Sequence, residues 1–130
     1  MLIEEYFQKV EHDIARCLYI FESHIIKDKR SLYIGIIEGD IYFIDDSVLH
    51  FIEFVSVMEK TERYKYSYHY QDKDGKVIFR YDMAPHHIEI ETFPHHKHIN
   101  SDTVIKSSAP SLNEVFHEIA ELIKYDKSEF

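Results

Sequence analysis

Residues 63–82 read RYKYSYHYQDKDGKVIFRYD, and this alternation restricts the fold more than any other stretch of the chain. Tyr64, Tyr66, Tyr68 and Tyr70 alternate with Lys65, Ser67, His69 and Gln71. Successive side chains of a strand point to opposite faces, so the tyrosines share one face and the polar set the other. Asp74-Gly75 is a type I′ hairpin signal, since both central positions of that turn need positive φ. With those two residues as the turn, Lys73 pairs with Lys76, His69 with Arg80 and Ser67 with Asp82. The polar face predicted from this register collects Arg63, Lys65, Ser67, His69, Arg80 and Asp82.

The flanking sequence extends the same pattern. Residues 18–82 are dense in Tyr, Phe, Ile and Val, with polar breaks at 27–30, 38–40, 45–47, 59–62 and 73–76. They predict strands at about 18–27, 31–38, 41–44, 48–58, 62–72 and 76–82. Connections this short favour antiparallel neighbours, and a meander is the simplest topology. At the N-terminal end Leu2, Ile3, Tyr6, Phe7, Val10, Ile14, Cys17, Leu18 and Phe21 recur at three- and four-residue steps, which predicts a helix over about 2–21. At the C-terminal end Ser111 with Glu114 three residues later forms a capping-box signature, opening a helix over about 111–125. The expected fold is α+β: a single antiparallel β-meander sheet flanked by an N-terminal and a C-terminal helix that cover one face.

The chain has 130 residues, enough for one core and short for two, so one domain over residues 1–130 is expected. Forty-five per cent hydrophobic residues with only three Gly and three Pro exclude a disordered chain. The formal charge of -9 repels nucleic acid as a whole, so any RNA contact must be made by locally gathered cations. One cysteine, Cys17, excludes an intramolecular disulfide and a Cys-rich zinc module. It lies on the apolar stripe of the first helix and reads as a structural thiol. There is no secretion-like leader and no apolar run of about 18 residues, so the expected setting is cytoplasmic, with no membrane partner.

Five of the ten histidines fall in residues 84–98, APHHIEIETFPHHKH. Pro85 and Pro94 argue against a central strand, so this His-rich segment, about 84–100, is expected as an edge excursion or ordered loop. Three chemistries remain open for it. His96 and His98 point the same way from an extended chain, and His86 or His87 with Asp82 or Glu89 would complete a site for zinc or another divalent metal. Alternatively imidazoles act as base and acid in metal-free RNA cleavage, with Arg63 or Arg80 neutralising the phosphorane. In the third case the rings hold a proline-bounded loop in shape through backbone hydrogen bonds. His24, His50 and His117 lie on ordinary elements and carry no assigned chemistry.

RYKYSYHYQDKDGKVIFRYDMAPHH, TFPHHKH and PSLNEVFHEI together resemble the TumE-type toxins of toxin–antitoxin systems, over roughly residues 31–124. The resemblance implies a cognate antitoxin, commonly a helix-turn-helix DNA-binding protein, and a toxin suspected of ribonuclease activity. The family motif falls on Tyr68, His69, Asp82, Pro85, His86, His87, Pro94, His95, His96 and His98. Met83 stands where the family often has Asn, and Ile88 where it often has Pro; neither change removes an ionisable group. The first expectation is therefore an endoribonuclease working by histidine acid–base catalysis without a cofactor. Its candidate catalytic residues are Arg63, His69, Arg80, Asp82, His86, His87 and His96, with Lys65, Tyr68, His95, Lys97 and His98 binding RNA. A non-catalytic protein-binding module and a metal-dependent nuclease or hydrolase are the alternatives. An exposed sheet edge and surface tyrosines add a homodimer to the expected partners.

Overall fold

In the computed structural model, residues 1–83, 95–99, 103–106 and 109–128 are described. The elements in chain order are α1 (Ile3–Arg16), β1 (Ile20–Lys29), β2 (Ile34–Phe43), β3 (Val48–Ser56), β4 (Glu62–Gln71), β5 (Val77–Met83), β6 (His95–Ile99), β7 (Thr103–Lys106) and α2 (Leu112–Ser128). All seven strands join one antiparallel sheet in the order β1-β2-β3-β4-β5-β6-β7. The expected meander between two helices is the fold.

Both helices enter the core on the same side as the odd-numbered residues of β2 and β3. Ile3, Tyr6, Phe7, Val10 and Ile14 of α1 and Leu112, Val115, Phe116, Ile119 and Ile123 of α2 are buried together with Ile37, Ile41, Leu49, Phe51 and Val55. Burying each such side chain contributes roughly 1.5–3 kcal/mol. The even-numbered residues of these strands face away from the helices and form an open face.

Three boundaries differ from expectation. The first helix stops at Arg16 rather than near residue 21, because Cys17 turns to extended backbone and Ile20 pairs with Phe43. Leu18 and Phe21, expected on its apolar stripe, are 92% and 76% exposed. Residues 38–40 do not form a turn: β2 runs through Glu38, Gly39 and Asp40 without interruption. Gly39 serves close approach there, since a Cβ would lie 2.6 Å from the His24 carbonyl oxygen and 2.6 Å from the Ile25 side chain. Finally, part of the His-rich segment is an interior strand. β6 begins at His95 and pairs with β5 on one side and β7 on the other.

The tyrosine hairpin keeps its predicted pairing by a different route. Gly75 has φ 83° while Asp74 is not among the residues with positive φ. The Gly75 N–H donates to the Asp72 carbonyl and the Asp72 N–H to the Lys76 carbonyl. The loop is thus a type I turn followed by a left-handed glycine, one residue longer than a type I′ turn. A second irregularity lets Gln71 pair with Val77 and Tyr70 with Phe79, which returns the register to His69 opposite Arg80 and Ser67 opposite Asp82.

A further bulge, at Tyr64, is not compensated. Phe54 pairs with Lys65 but Val55 with Arg63, leaving Tyr64 as the extra residue. Tyr66, Tyr68 and Tyr70 are buried beneath the helices, whereas Tyr64 is 47% exposed beside Phe54 of the open face. Because a one-residue slip reverses a strand's facing, Arg63 leaves the polar face on which alternation had placed it.

Candidate active site

The open face carries a row of directly opposed residues that crosses the sheet from strand to strand. His24 pairs with Asp40, Asp40 with His50, His50 with His69, His69 with Arg80, and Arg80 with His98. The neighbouring row runs Ile26, Glu38, Ile52, Ser67, Asp82 and His96 in the same way. Directly paired residues on one face bring their Cβ atoms to roughly 4.5–5.5 Å, so chemistry distant in sequence becomes adjacent.

Side-chain contacts follow the row. His50 Nδ1 lies 2.5 Å from Asp40 Oδ1, and the His50 and His69 rings are 5.9 Å apart between centres. Arg80 Nη2 lies 2.5 Å from Asp82 Oδ2 and 3.5 Å from His98 Nε2. His98 Nε2 is 3.6 Å from Asp82 Oδ1. Asp82 is buried, so its pairing with a guanidinium offsets the desolvation of its carboxylate. His24, Asp40, His50 and His69 border a groove of about 810 Å³, whose lining also includes Ile26, Ile52 and Gln71. The pKa of His69 is lowered by burial and further by His50 and Arg80, against a hydrogen bond to Gln71 that raises it. His69 is thus held as neutral imidazole near neutral pH, the form that accepts a proton.

The helix-covered face holds a second polar cluster. Glu53, 1% exposed, accepts hydrogen bonds from the hydroxyls of Tyr6 and Tyr68. Arg63 Nη1 donates to the Tyr68 hydroxyl at 2.7 Å and to the Pro110 carbonyl at the entrance to α2, and its guanidinium lies 4.6 Å from the Tyr66 ring centre. Tyr66 and His95 are joined through the hydroxyl and Nδ1 at 2.9 Å. Lys97 Nζ donates to Glu118 at 2.8 Å and the Tyr81 hydroxyl donates to the same carboxylate at 2.6 Å. These bonds attach α1 and α2 to the sheet.

The sheet therefore divides the residues that the sequence nominated. Lys65, His69, Arg80, Asp82 and His98 belong to the open face, and His96 pairs with Asp82 in register. Arg63, Tyr68, His95 and Lys97 belong to the helix-covered face, where each has a structural partner. His86 and His87, with Pro85, Ile88, Glu89 and Pro94, lie outside the described residues. Asp40 falls in the turn expected at 38–40 and His50 on an ordinary strand, so neither is among the residues that the sequence nominates. The signal was present: counting back from the 43–47 turn, as from the tyrosine hairpin's turn, pairs residue 40 with residue 50.

A model of the family described as Toxin TumE matches residues 7–125, which takes in the open-face row, most of both helices and the tyrosine hairpin. The chain belongs to the TumE toxin family. No curated protein and no solved structure matches it. As a TumE-family toxin it is the toxin of a toxin–antitoxin system and has a cognate antitoxin. Among the described residues no helix of this TumE-family protein is long and apolar enough to cross a membrane. No group of three or more His, Cys, Asp or Glu side chains among the described residues gathers closely enough to hold a metal ion.

Proposed function

We propose that this TumE-family toxin is an endoribonuclease whose open face cleaves RNA by histidine acid–base catalysis. The observation that supports the reading most is the pairing of His69 with Arg80 inside a row that also holds His98. Metal-free RNA cleavage needs a base for the ribose 2′-hydroxyl, a proton for the leaving 5′-oxygen and a cation for the phosphorane. His69, kept neutral by burial and by its cationic neighbour, suits the base. Arg80, oriented by Asp82, suits the phosphorane, since a guanidinium presents paired donors to phosphate oxygens.

The overall charge of -9 is compatible with this reading because phosphate contact is local. Lys65 and Arg80 supply cations to the face opposite the helices, alongside the carboxylates of Glu38, Asp40 and Asp82. The groove between β1 and β4 offers apolar Ile26 and Ile52 to a sugar or base.

The test is cleavage of a defined RNA by the purified full chain, with and without a chelator, together with growth inhibition on expression. Cleavage that survives chelation and falls about 10²–10⁴-fold in His69→Ala supports the reading. Unchanged cleavage and unchanged growth inhibition by a folded His69→Ala variant overturns it. Activity lost on chelation and restored by a divalent metal would instead favour a metal-dependent nuclease.

A further inference from the structure

We propose that His50, held by Asp40, is the general acid of this site and the partner of His69 in proton transfer. The assignment rests on the ribonuclease reading above and adds the residue that would protonate the leaving group.

Three observations carry it. Asp40 and His50 meet at 2.5 Å between Oδ1 and Nδ1, within reach of a charge-assisted hydrogen bond. A carboxylate on Nδ1 fixes a proton there, leaves Nε2 as the nitrogen that exchanges protons, and compensates the charge of the protonated ring. His50 also opposes His69 directly, with ring centres 5.9 Å apart, so a single phosphodiester can reach both rings. Both rings border the one groove, and the His50 side chain is 45% exposed, so a substrate oxygen has access to it.

The division of labour follows from what surrounds each ring. His50 is faced by the Asp40 carboxylate from β2 and by His69 from β4, with Glu38 lining the same groove. His69 is faced by His50 from β3 and by the Arg80 guanidinium from β5, with no carboxylate directly opposite. When two titratable groups share a site and their environments differ in this way, the ring beside the cation serves as base and the ring on the carboxylate as acid.

The step balances without a co-reactant. His69 takes the 2′-hydroxyl proton while the 2′-oxygen forms its bond to phosphorus. The bond from phosphorus to the 5′-oxygen breaks, and that oxygen takes the Nε2 proton of His50. The products are a 2′,3′-cyclic phosphate and a 5′-hydroxyl. His69 is left protonated and His50 neutral, and exchange with water resets the pair. Asp40 is a positioning residue, acting through His50.

The test compares a dinucleotide carrying the natural 5′-oxygen with one carrying sulfur there, because a thiolate leaves without being protonated. His50→Ala is expected to lose about 10²–10⁴-fold on the oxygen substrate and to approach wild type on the sulfur substrate. His69→Ala loses activity on both. Asp40→Asn loses less than His50→Ala on the oxygen substrate and, because it acts through the same acid, recovers on the sulfur substrate. If wild type cleaves RNA but His50→Ala equals it, or loses as much on the sulfur substrate, the acid assignment fails and the ribonuclease reading stands. If wild type cleaves neither substrate, the ribonuclease reading fails and takes this assignment with it.

Discussion

Arg63 and His69 lie on opposite faces of β4 although they are six positions apart, an even spacing that uninterrupted alternation would keep on one face. The bulge at Tyr64 reverses the strand between them. Arg63 thereby becomes the cation of the Tyr68–Glu53–Tyr6 cluster and the anchor of Pro110, while His69 stays beside Arg80.

Arg63→Ala is expected to act on stability. It strips a donor from the Tyr68 hydroxyl and from the Pro110 carbonyl, at a cost of about 1–3 kcal/mol. Chemical denaturation should show the loss, while RNA cleavage per folded molecule stays at the wild-type level. A fall in cleavage with unchanged stability would place Arg63 in the reaction after all.

The buried tyrosines predict a steep alkaline limit. Burial raises Tyr6, Tyr66, Tyr68 and Tyr81 above the ordinary tyrosine value, Tyr66 to about 12, and Glu53 raises Tyr6 and Tyr68 further. Above the unfolded value of about 10 the unfolded chain binds fewer protons than the folded one, so stability is present below that pH and falls as pH rises through it. Each such tyrosine steepens the fall by up to about 1.4 kcal/mol per pH unit. Tyrosinate absorbance from these four rings should appear together with loss of the far-ultraviolet dichroism, not before it.

His69 should titrate below an ordinary histidine. Its folded value is lowered by burial, His50 and Arg80, so the unfolded chain binds the extra proton first, and stability falls as pH drops below about 6.5. Ring-proton NMR should find its midpoint below that value in wild type and raised in Arg80→Ala. No change in Arg80→Ala would show that the guanidinium does not bear on the ring.

Close packing of α1 on β2 gives a fourth expectation. A Cβ on Gly35 would lie 2.6 Å from Phe7 Cζ and 2.9 Å from Ile3 Cγ1. Gly35→Ala should therefore cost about 1–3 kcal/mol through overpacking. Phe7→Leu, which removes the clashing ring edge, should be less damaging in the Gly35→Ala background than alone, and a double-mutant cycle measures that coupling. Strict additivity would mean that α1 relaxes away from the sheet.

The legible parts of the molecule were those written in local order. Ser111 and Glu114 form both predicted capping bonds, at 3.1 Å each, because a capping box needs only residues three apart. His69 met Arg80 as counted, although a longer turn and a compensating bulge at Ile78 replaced the simple hairpin behind that count. Asp40 is hidden in the sequence because a glycine between two acidic residues has the composition of a turn, and His50 because a lone histidine on a strand signals no chemistry without its partner. Only the packed sheet shows that Gly39 is there to let β1 approach.

By itself, then, the sequence determined the class of each long element, the meander, the apolar faces of the two helices and the identity of the groups available for chemistry. These depend on periodicity, which backbone geometry imposes residue by residue along the chain. The tertiary structure decided which of those groups meet. Facing on a strand depends on the running total of every bulge and turn, and one residue more or less reverses it. The bulge at Tyr64 sent Arg63 under the helices, and the unbroken β2 brought Asp40 to His50.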